Sequence, residues 1–438
     1  MLRSMYSGVS GLRSHQTMMD VIGNNIANVN TVGYKSSSVV FQDLLSQALR
    51  GAGSPTTGTS GNGGTNPAQV GLGVRVGGIA TSFTQGAAQN TGRSTDMSIQ
   101  GDGLFVVRQA GQELYTRAGA LSFDGLGRLT TSDGAVLQGW SANAAGAINT
   151  NATVSDLTMP LGQAIAPAIT ANITMGGNLP ADAPVNALTL PAATPGSQVV
   201  SSITIYDIQG AAHDVSVTFT HTSANNWSCD ATMKNVTTGV PASVLAAPVT
   251  FTWNPAATPP AFTAPATPLS LSVVPAGTTF GDFGGKTVKV GFGTAGTPDA
   301  LSQYAGTNSL QALSQDGSAL GSLQSFTIGQ DGVVTGVFSN GKTRAVGQVA
   351  VASFANPVGL EKTGSSLYRA GVNSGLASIG AAGVGGRGTL AGGTLEMSNV
   401  DLAQEFTNLI VAQRGFQANS KVITASDELL QDLVNLKR

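Results

Sequence analysis

Charged and aromatic side chains are scarce in this chain of 438 residues. Only 10% of the residues are charged, 5% are aromatic, and the formal net charge is -2. Because basic residues are not in excess, the chain has no positive field to hold a phosphate backbone, and nucleic acid is not an expected partner. The 58 glycines, with many Ala, Thr and Ser residues, favour turns and β-structure over a helical enzyme core.

Cysteine and long apolar runs are also almost missing. Cys229 is the single cysteine, so no internal disulfide can form, and we interpret it as a small buried hydrophobic residue. No stretch approaches the roughly 20 apolar residues of a membrane span, so membrane insertion is not expected. Polar residues between Ser4 and Gln16 interrupt any apolar segment of a signal peptide. If the protein leaves the cytoplasm, we therefore expect export without a cleaved signal peptide.

Candidate residues for catalysis or metal binding are few. The three histidines, His15, His213 and His221, are scattered and match no zinc or iron pattern. The glycine-rich run 383–388 formally fits a dinucleotide-binding fingerprint, but no apolar strand precedes it and no helix follows at once, so we interpret it as a flexible hinge. The sequence therefore predicts no catalytic, cofactor-binding or metal-binding site.

A seven-residue spacing of apolar residues marks both ends of the chain and predicts two amphipathic helices. The first helix should end near Asn28, and Gly33 should supply a turn with positive φ. Asp401 and Glu405 suit the positive end of a second helix from about Asp401 to Leu436, roughly 50 Å long. The apolar heptad positions are Leu2, Met5, Val9, Leu12, Met19 and Ile26 in the first helix and Leu402, Leu409, Phe416, Ile423 and Leu430 in the second.

The companion heptad position of the second helix is largely polar. It is occupied by Phe406, Gln413, Ser420, Asp427 and Val434. Such a mixed seam rarely makes a stable isolated dimer. A narrow apolar stripe suits a helix that packs against one partner helix and meets further copies of itself on its other sides, and we include Phe406 among the predicted assembly residues.

The length of the chain implies more than one core, and turn signals divide it into segments. A run rich in Gly, Ser, Thr and Pro at 51–69 indicates a flexible connector, and short apolar runs closed by Asp-Gly and Asn-Gly indicate β-hairpins. The predicted segments are an N-terminal helix and turn at 1–35, an irregular connector at 36–92, a first β domain at 93–144 and 321–375, an inserted outer β domain at 145–320, a Gly-rich connector at 376–400 and a helix at 401–438. The predicted fold class is multidomain and mainly β, with two nested β domains and terminal helices that pair.

Three parts of the sequence resemble the bacterial flagellar rod and hook family, and together they cover about half of the chain. The N-terminal part comprises 7–12 and 24–35, which reads NNIANVNTVGYK. The C-terminal part comprises 393–402, then 413–419, which reads QRGFQAN, and Asp427-Glu428. The third part is 100–107, QGDGLFVV, with Gly139-Trp140, which resembles the first β domain of hook and distal rod subunits.

This resemblance implies a structural role. It implies that the terminal helices pair as an inner, antiparallel coiled-coil layer of a helical homopolymer, and that the chain is exported unfolded through the flagellar type III apparatus. It also implies contacts with distal rod, hook cap and hook–filament junction proteins, in the extracellular hook. The signature residues carried over are Asn24, Asn25, Asn28, Thr31, Gly33, Tyr34, Asn399, Asp401, Gln413, Arg414 and Asn419.

The long insert between Trp140 and Gly321 favours a hook subunit, a curved universal joint that transmits torque from rod to filament. Distal rod subunits resemble the same ends and first β domain without a large insert. The runs 205–213 and 301–306 also resemble hook segments. A distal rod subunit with an unusual insert and, from another class, a surface adhesin remain alternatives, and an enzyme would need a clustered polar site that the sequence does not show.

Overall fold

The computed structural model describes residues 2–55, 63–143, 145–160, 164–188, 193–235, 239–245, 247–262, 269–271, 282–284, 286–294 and 297–435, without the side chains of Leu2, 269–271 and Leu433. The chain forms two compact units. Unit 1 comprises Met1–Met159, Phe326–Gly336 and Arg344–Arg438, and unit 2 comprises Pro160–Ser325 and Val337–Thr343. In chain order, unit 2 is therefore inserted into unit 1.

The helices lie at the two ends of unit 1, and strands fill the chain between them. The helices are α1, Leu2–Ala27, and α2, Leu402–Asn435. The strands before the insert are β1 Ser37–Asp43, β2 Ser46–Arg50, β3 Ala68–Gly71, β4 Val74–Thr81, β5 Ala88–Asn90, β6 Met97–Gln100, β7 Leu104–Gln109, β8 Gln112–Thr116, β9 Ser122–Phe123, β10 Leu129–Thr130, β11 Val136–Ser141 and β12 Ser155–Asp156.

The strands of unit 2 are β13 Ala164–Ile165, β14 Asn172–Pro180, β15 Gln198–Tyr206, β16 Ala212–Ser223, β17 Asn226–Lys234, β18 Pro241–Ser243, β19 Val249–Asn254, β20 Ala261–Phe262, β21 Leu269–Leu271, β22 Val288–Gly291, β23 Leu301–Tyr304 and β24 Gln311–Gln315. The chain enters unit 1 again at Phe326, within β25, and Val337–Thr343 still belong to unit 2. The remaining strands are β25 Gly321–Ile328, β26 Val333–Phe338, β27 Thr343–Val349, β28 Val351–Ser353, β29 Glu361–Gly364, β30 Leu367–Arg369, β31 Ser378–Gly380, β32 Thr389–Gly392 and β33 Thr394–Glu396, with a short 3-10 helix at Pro357–Gly359. The mainly β fold class with terminal helices is confirmed.

The core of unit 1 lies against an antiparallel sheet in which β27, β11, β7, β8, β30 and β29 are successive neighbours. Trp140 on β11 is buried in this core, and its indole N–H donates to the Ala152 carbonyl at 2.7 Å. Tyr115 on β8 packs edge-on against Phe354, with ring centroids 4.8 Å apart. The hydrogen bond from Trp140 satisfies the indole N–H, so the ring is buried without an unpaired donor.

Unit 2 is built around one apolar core between two groups of strands. β15, β16, β17, β19 and β20 follow one another in an antiparallel sheet, while β14 pairs in parallel with β22 and β23 and antiparallel with β24. Alternate residues of β16 and β17 point inward, so Phe219, Trp227 and Cys229 are fully buried. Burial raises the pKa of the Cys229 thiol, which fits the prediction of a small hydrophobic residue.

Two predicted connectors contain strands instead of irregular chain. In 36–92, β1 pairs with β4 and β2 with β3, which forms a long antiparallel hairpin over 37–81; residues 56–62 of the predicted connector lie outside the described residues. In 376–400, β31, β32 and β33 pair with β28, β6 and β5. The hairpin is exposed along most of its length, so it lacks the alternation of buried and exposed residues that marks a strand in sequence. The strands of 376–400 pair with strands far away in sequence, and local patterns do not reveal such pairs.

Candidate functional site: the paired terminal helices and their junction

The terminal helices pack against each other in opposite directions. Near the start of α1 the Ser4 hydroxyl hydrogen-bonds the Ser426 hydroxyl at 3.3 Å. Near its end the Asn25 amide donates to Glu405 Oε1 at 2.9 Å. Since the start of α1 meets the end of α2, the predicted antiparallel pairing is confirmed.

Small residues form the face on which the two helices meet. A Cβ atom on Gly8 would lie 3.1 Å from Ile423, and one on Gly11 would lie 2.7 Å from the Asn419 side chain. A Cβ atom on Gly415 would lie 2.5 Å from the His15 ring. A side chain at Gly11 or Gly415 would therefore displace Asn419 or His15, and one at Gly8 would crowd Ile423, so glycine at these positions permits the close approach of the two helices.

The apolar heptad positions therefore lie beside the contact line. Met5, Leu12, Met19, Ile26, Leu409, Ile423 and Leu430 are partly buried, whereas Val9, Leu402 and Phe416 are exposed. The buried line of α2 runs through Ala412 and Ser426, three residues after Leu409 and Ile423. The companion positions, from Phe406 to Val434, are exposed on the single subunit and take no part in its contact with α1, and their role in assembly stays a prediction. The Leu2 side chain lies outside the described residues.

The outer faces of the pair consequently expose large apolar side chains. Phe406 is 50% exposed and Ile410 is 58% exposed on α2. The other exposed apolar residues of the two helices are Tyr6, Val9, Leu402, Val411, Phe416, Val422, Leu429 and Val434. A row of exposed apolar side chains of this extent is typical of a surface that another chain covers.

The side chain of Asn25 is the centre of the junction between α1 and the first strand. Its amide donates to the Ser37 carbonyl at 2.8 Å as well as to Glu405, and its oxygen accepts the Ser37 N–H at 3.0 Å and the Tyr34 hydroxyl at 3.2 Å. Both ends of this buried amide are thus satisfied, which an aspartate or leucine could not do. Burial and then the Glu405 carboxylate raise the pKa of Tyr34.

Asn399 plays the matching role before α2. Its oxygen accepts the Ser36 N–H at 2.8 Å, and its amide donates to the Ser82 carbonyl at 2.9 Å and to the Thr84 hydroxyl at 2.9 Å. Asp401 then caps α2, because its carboxylate accepts the Ala403 N–H at 2.9 Å. Asn399 therefore connects three separate segments at the point where α2 begins.

The remaining signature residues divide into two groups. Asn28, just after α1, bonds both Asn24 and Thr31: its amide donates to Asn24 Oδ1, and its oxygen accepts the Thr31 hydroxyl. Gly33 has φ of +67°, and a Cβ there would lie 2.6 Å from the Ala118 nitrogen. On α2, Gln413 and Arg414 are exposed, while Asn419 packs on Gly11. The structure thus gathers eight of the eleven around the junction and leaves Gln413, Arg414 and Asn419 along the helix.

A buried cluster of three charges, which the sequence analysis missed, completes the junction. Lys35 Nζ lies 2.6 Å from Glu396 Oε1, and Arg117 Nε lies 2.6 Å from Glu396 Oε2. Lys35 and Glu396 both lie inside the signature runs, and charged residues are rare in this chain. Their presence there was the sequence signal that could have pointed to an ion pair. Arg117 lies outside those runs, and only the fold brings it to the other two.

Hydrogen bonds surround the cluster. Lys35 Nζ also donates to the Thr84 carbonyl at 2.6 Å, and Glu396 Oε1 accepts the Gly86 N–H at 2.9 Å. Burial opposes ionisation of Glu396, but the Arg117 charge and the hydrogen bonds from Lys35 and Gly86 together lower the pKa of Glu396. Burial lowers the pKa of Lys35. The cluster therefore joins the chain after α1, the β sheet and the chain before α2 through one carboxylate.

Other kinds of site have little support in the described part of the chain. Within it, no three His, Cys, Asp or Glu side chains are close enough together to hold a metal ion. Neither described helix is long and apolar enough to cross a membrane.

Comparisons with known proteins agree with this arrangement. The family described as "Flagella basal body rod protein" matches residues 5–35, and "Flagellar basal body rod FlgEFG protein C-terminal" matches 391–436. "Flagellar hook protein FlgE/F/G D1 domain" matches 98–178, and "Flagellar basal body protein FlaE D2 domain" matches 178–318. The flagellar hook protein FlgE of Borreliella burgdorferi is 40% identical to this chain, and the alignment covers 100% of both. The chain belongs to the flagellar hook protein family.

Other relatives are similar over comparable lengths. The hook protein FlgE of Treponema pallidum is 41% identical over 100% of both chains, and the basal-body rod protein FlgG of Bacillus subtilis is 34% identical over 100% of both. The crystal structure of Helicobacter pylori flagellar hook protein FlgE2 aligns with 69% of this chain and 98% of that chain, with a TM-score of 0.47 and 14% identity. As a member of the hook protein family, this chain is a structural subunit of the extracellular flagellar hook, as the sequence predicted.

Proposed function

We propose that this hook subunit polymerises with copies of itself into a curved, flexible tube that acts as a universal joint and transmits torque from the rod to the filament. The observation that carries the proposal is the exposed apolar surface of α1 and α2. The helix pair leaves several large apolar side chains, such as Phe406 and Ile410, in water, which costs free energy until neighbouring copies cover them. The exposed heptad residues Leu402, Phe406 and Phe416 are the proposed assembly contacts.

A charge on this surface should separate assembly from folding. Ile410→Asp places a carboxylate on a residue that is 58% exposed in the subunit, so the subunit should fold normally. In the polymer the carboxylate would be buried without a partner, so tubes should not form. Leu188→Asp, at a 53% exposed residue of unit 2, is the matched control and should still polymerise. Electron microscopy and sedimentation give the readout, and normal tubes of Ile410→Asp would contradict the proposal.

Partners and export follow from the same role. We propose contacts at the ends of the tube with distal rod, hook cap and hook–filament junction proteins, export through the flagellar type III apparatus without a cleaved signal peptide, and no catalysis. Mass spectrometry of assembled hooks should therefore find the N-terminal peptide intact. A processed N-terminus beginning after an apolar segment would refute this route.

We further propose that the inserted domain, predicted at 145–320, controls the bending of the tube more than its assembly. Ala168 and Ser318 exchange backbone hydrogen bonds of 3.0 and 2.9 Å, so an Asn-Gly turn can replace residues 169–317 between them. Tubes of the shortened chain should form with altered curvature or stiffness. Normally curved, normally flexible tubes would refute the role of the insert, and straight, stiff tubes from the full chain would favour a rod over a hook.

A further inference from the structure

A groove of about 430 Å³ runs between α1 and the hairpin over 37–81. It follows a face of α1 other than the Gly8 and Gly11 face that meets α2, and the Ser10 hydroxyl anchors its floor by accepting the Val74 N–H at 3.2 Å. Its main lining residues are Tyr6, Val9, Arg13, Leu44, Leu72 and Arg75. All of these elements belong to unit 1, so the groove is a feature of one compact unit.

The groove is lined by apolar side chains together with Ser10, Ser14 and Thr17, and it carries a positive charge on each wall. Tyr6 is 73% exposed, and Val9, Leu44 and Leu72 are exposed as well. Arg13 on α1 and Arg75 on β4 both line it, and no acidic residue does. Within the described part of the chain neither arginine forms a salt bridge, and the Arg75 guanidinium donates one hydrogen bond to the neutral Gln42 Oε1 at 3.2 Å. The groove therefore suits an apolar helix face that also carries carboxylates.

Such a face is present near the end of α2. Ala425, Glu428, Leu429 and Asp432 follow the i, i+3, i+4, i+7 spacing and so share one side of the helix. All four are exposed, and Leu429 is 56% exposed. We call these four residues the acidic stripe. It differs from the line through Ala412 and Ser426 with which α2 contacts its own α1.

We propose that the groove between α1 and the hairpin receives the acidic stripe of a second copy of this chain, an inference that rests on the proposed function. Charge complementarity favours this occupant, because Arg13 and Arg75, which form no salt bridge within the described residues, would lie opposite the two carboxylates of the stripe, beside apolar side chains on both surfaces. The groove and the stripe are different surfaces of one chain. A contact between different surfaces repeats from copy to copy and builds a ring or an open helical polymer instead of a two-fold dimer.

Cross-linking between differently tagged chains tests the contact directly. One chain carries Val9→Cys in the groove and the other carries Leu429→Cys in the stripe, and mixing them excludes a bond within one chain. The natural Cys229 is fully buried, so it adds little background. Polymers of the mixture should give a disulfide-linked pair bearing both tags.

Ser420→Cys is the matched control on α2. It is exposed, and nine residues from Leu429 place it about half a turn around the helix. It should cross-link to Val9→Cys at a small fraction of the Leu429→Cys yield. Equal yields from both positions, or Val9→Cys that stays open to a maleimide in the polymer, would overturn the proposal, the latter by leaving the groove free for another protein.

Charge reversal gives an independent test. Arg13→Glu with Arg75→Glu, or Glu428→Lys with Asp432→Lys, should each raise the critical concentration for polymerisation by about tenfold or more. Combining all four should restore most of that loss, because the pairs are re-formed with opposite signs. Additive losses in the combined variant would overturn the proposal.

The two proposals fail in distinguishable ways. If the charge variants polymerise like the unaltered chain while Ile410→Asp blocks assembly, the groove has another role and the hook proposal stands. If the unaltered chain forms no tube, the proposed function itself fails.

Discussion

The core of unit 2 and the helix pair of unit 1 use side-chain size in opposite ways. In unit 2, large residues such as Phe219 and Trp227 are fully buried against one another. In the helix pair, Gly11, Ala412 and Gly415 lie at the contact, and Phe406 stays half exposed. A core of large residues is complete within one subunit, whereas a face of large residues in water is complete only when other copies cover it. The core of unit 2 is therefore complete within one subunit, whereas the outer surface of the helix pair is complete only in the polymer.

The largest expected effect comes from making the same substitution in both regions. Phe219→Ala should lower the free energy of unfolding of unit 2 by about 3–5 kcal/mol, because it leaves a cavity among buried rings. Phe406→Ala should change subunit stability by less than about 0.5 kcal/mol and should weaken polymerisation instead. Urea unfolding followed by tryptophan fluorescence measures both variants, because Trp227 and Trp253 lie in unit 2 and Trp140 lies in the core of unit 1. A large stability loss from Phe406→Ala would break the comparison.

Unit 1 also contains a buried charge whose partners all lie within the same unit. Glu396→Gln should destabilise unit 1 by about 3 kcal/mol, because it leaves the Lys35 and Arg117 charges buried without their carboxylate. Glu361→Gln is the control, since its pair with Arg369 is 53% exposed on the glutamate side and should contribute at most about 1 kcal/mol. Thermal unfolding of both variants decides, and equal losses would contradict the assignment.

The same carboxylate predicts a dependence on acid. The folded-state pKa of Glu396 is lowered from 4.5, so its contribution is present above pH 4.5 and is lost as the pH falls through the lower folded pKa. The stability lost between pH 5 and strongly acidic pH should therefore be smaller in Glu396→Gln than in the unaltered chain. Parallel pH curves for the two proteins would show that Glu396 is not the titrating group.

Two glycines of α1 test whether small residues set the contact with α2. Gly11→Ala should weaken the α1–α2 contact by about 1–3 kcal/mol, because the new methyl group overlaps Asn419. Gly23→Ala meets nothing within 4 Å and should stabilise α1 by up to about 1 kcal/mol, because alanine favours a helix. Hydrogen exchange of the α1 amides measures both. The same sign for both variants would argue against a contact set by small residues.

The smallest effect concerns the junction. Burial, and then the nearby Asp401, raise the pKa of Glu405 from 4.5 against the opposing hydrogen bond from Asn25. A raised folded-state pKa gives stability that is full below pH 4.5 and is lost as the pH rises through the folded value. Glu405→Gln keeps an uncharged acceptor for Asn25, so it should stabilise the helix pair at pH 7 by less than about 1 kcal/mol, because the site is partly exposed and screened. Thermal unfolding at pH 4 and pH 7 should show the gain only at the higher pH.

The sequence by itself determined the features that depend on neighbours along the chain. The seven-residue spacing located both helices, Asp401 was recognisable as an acidic residue at the start of α2, and Gly33 as a turn residue. The mainly β character followed from composition and turn pairs, and the signature runs identified the family. Each of these signals is read within a few residues, because helix period, capping and turn conformation are set by local geometry.

Only the tertiary structure decided which surfaces meet. A heptad shows which residues share a side of a helix, but not whether that side faces the partner helix or another copy. In this protein the glycines of α1 and α2 lie at the contact between the two helices. The hairpin over 37–81 and the strands of 376–400 depend on partners that no local pattern names. A buried carboxylate is stable only beside a cation, and Arg117 reaches Glu396 and Lys35 only because the fold brings distant parts of the chain together.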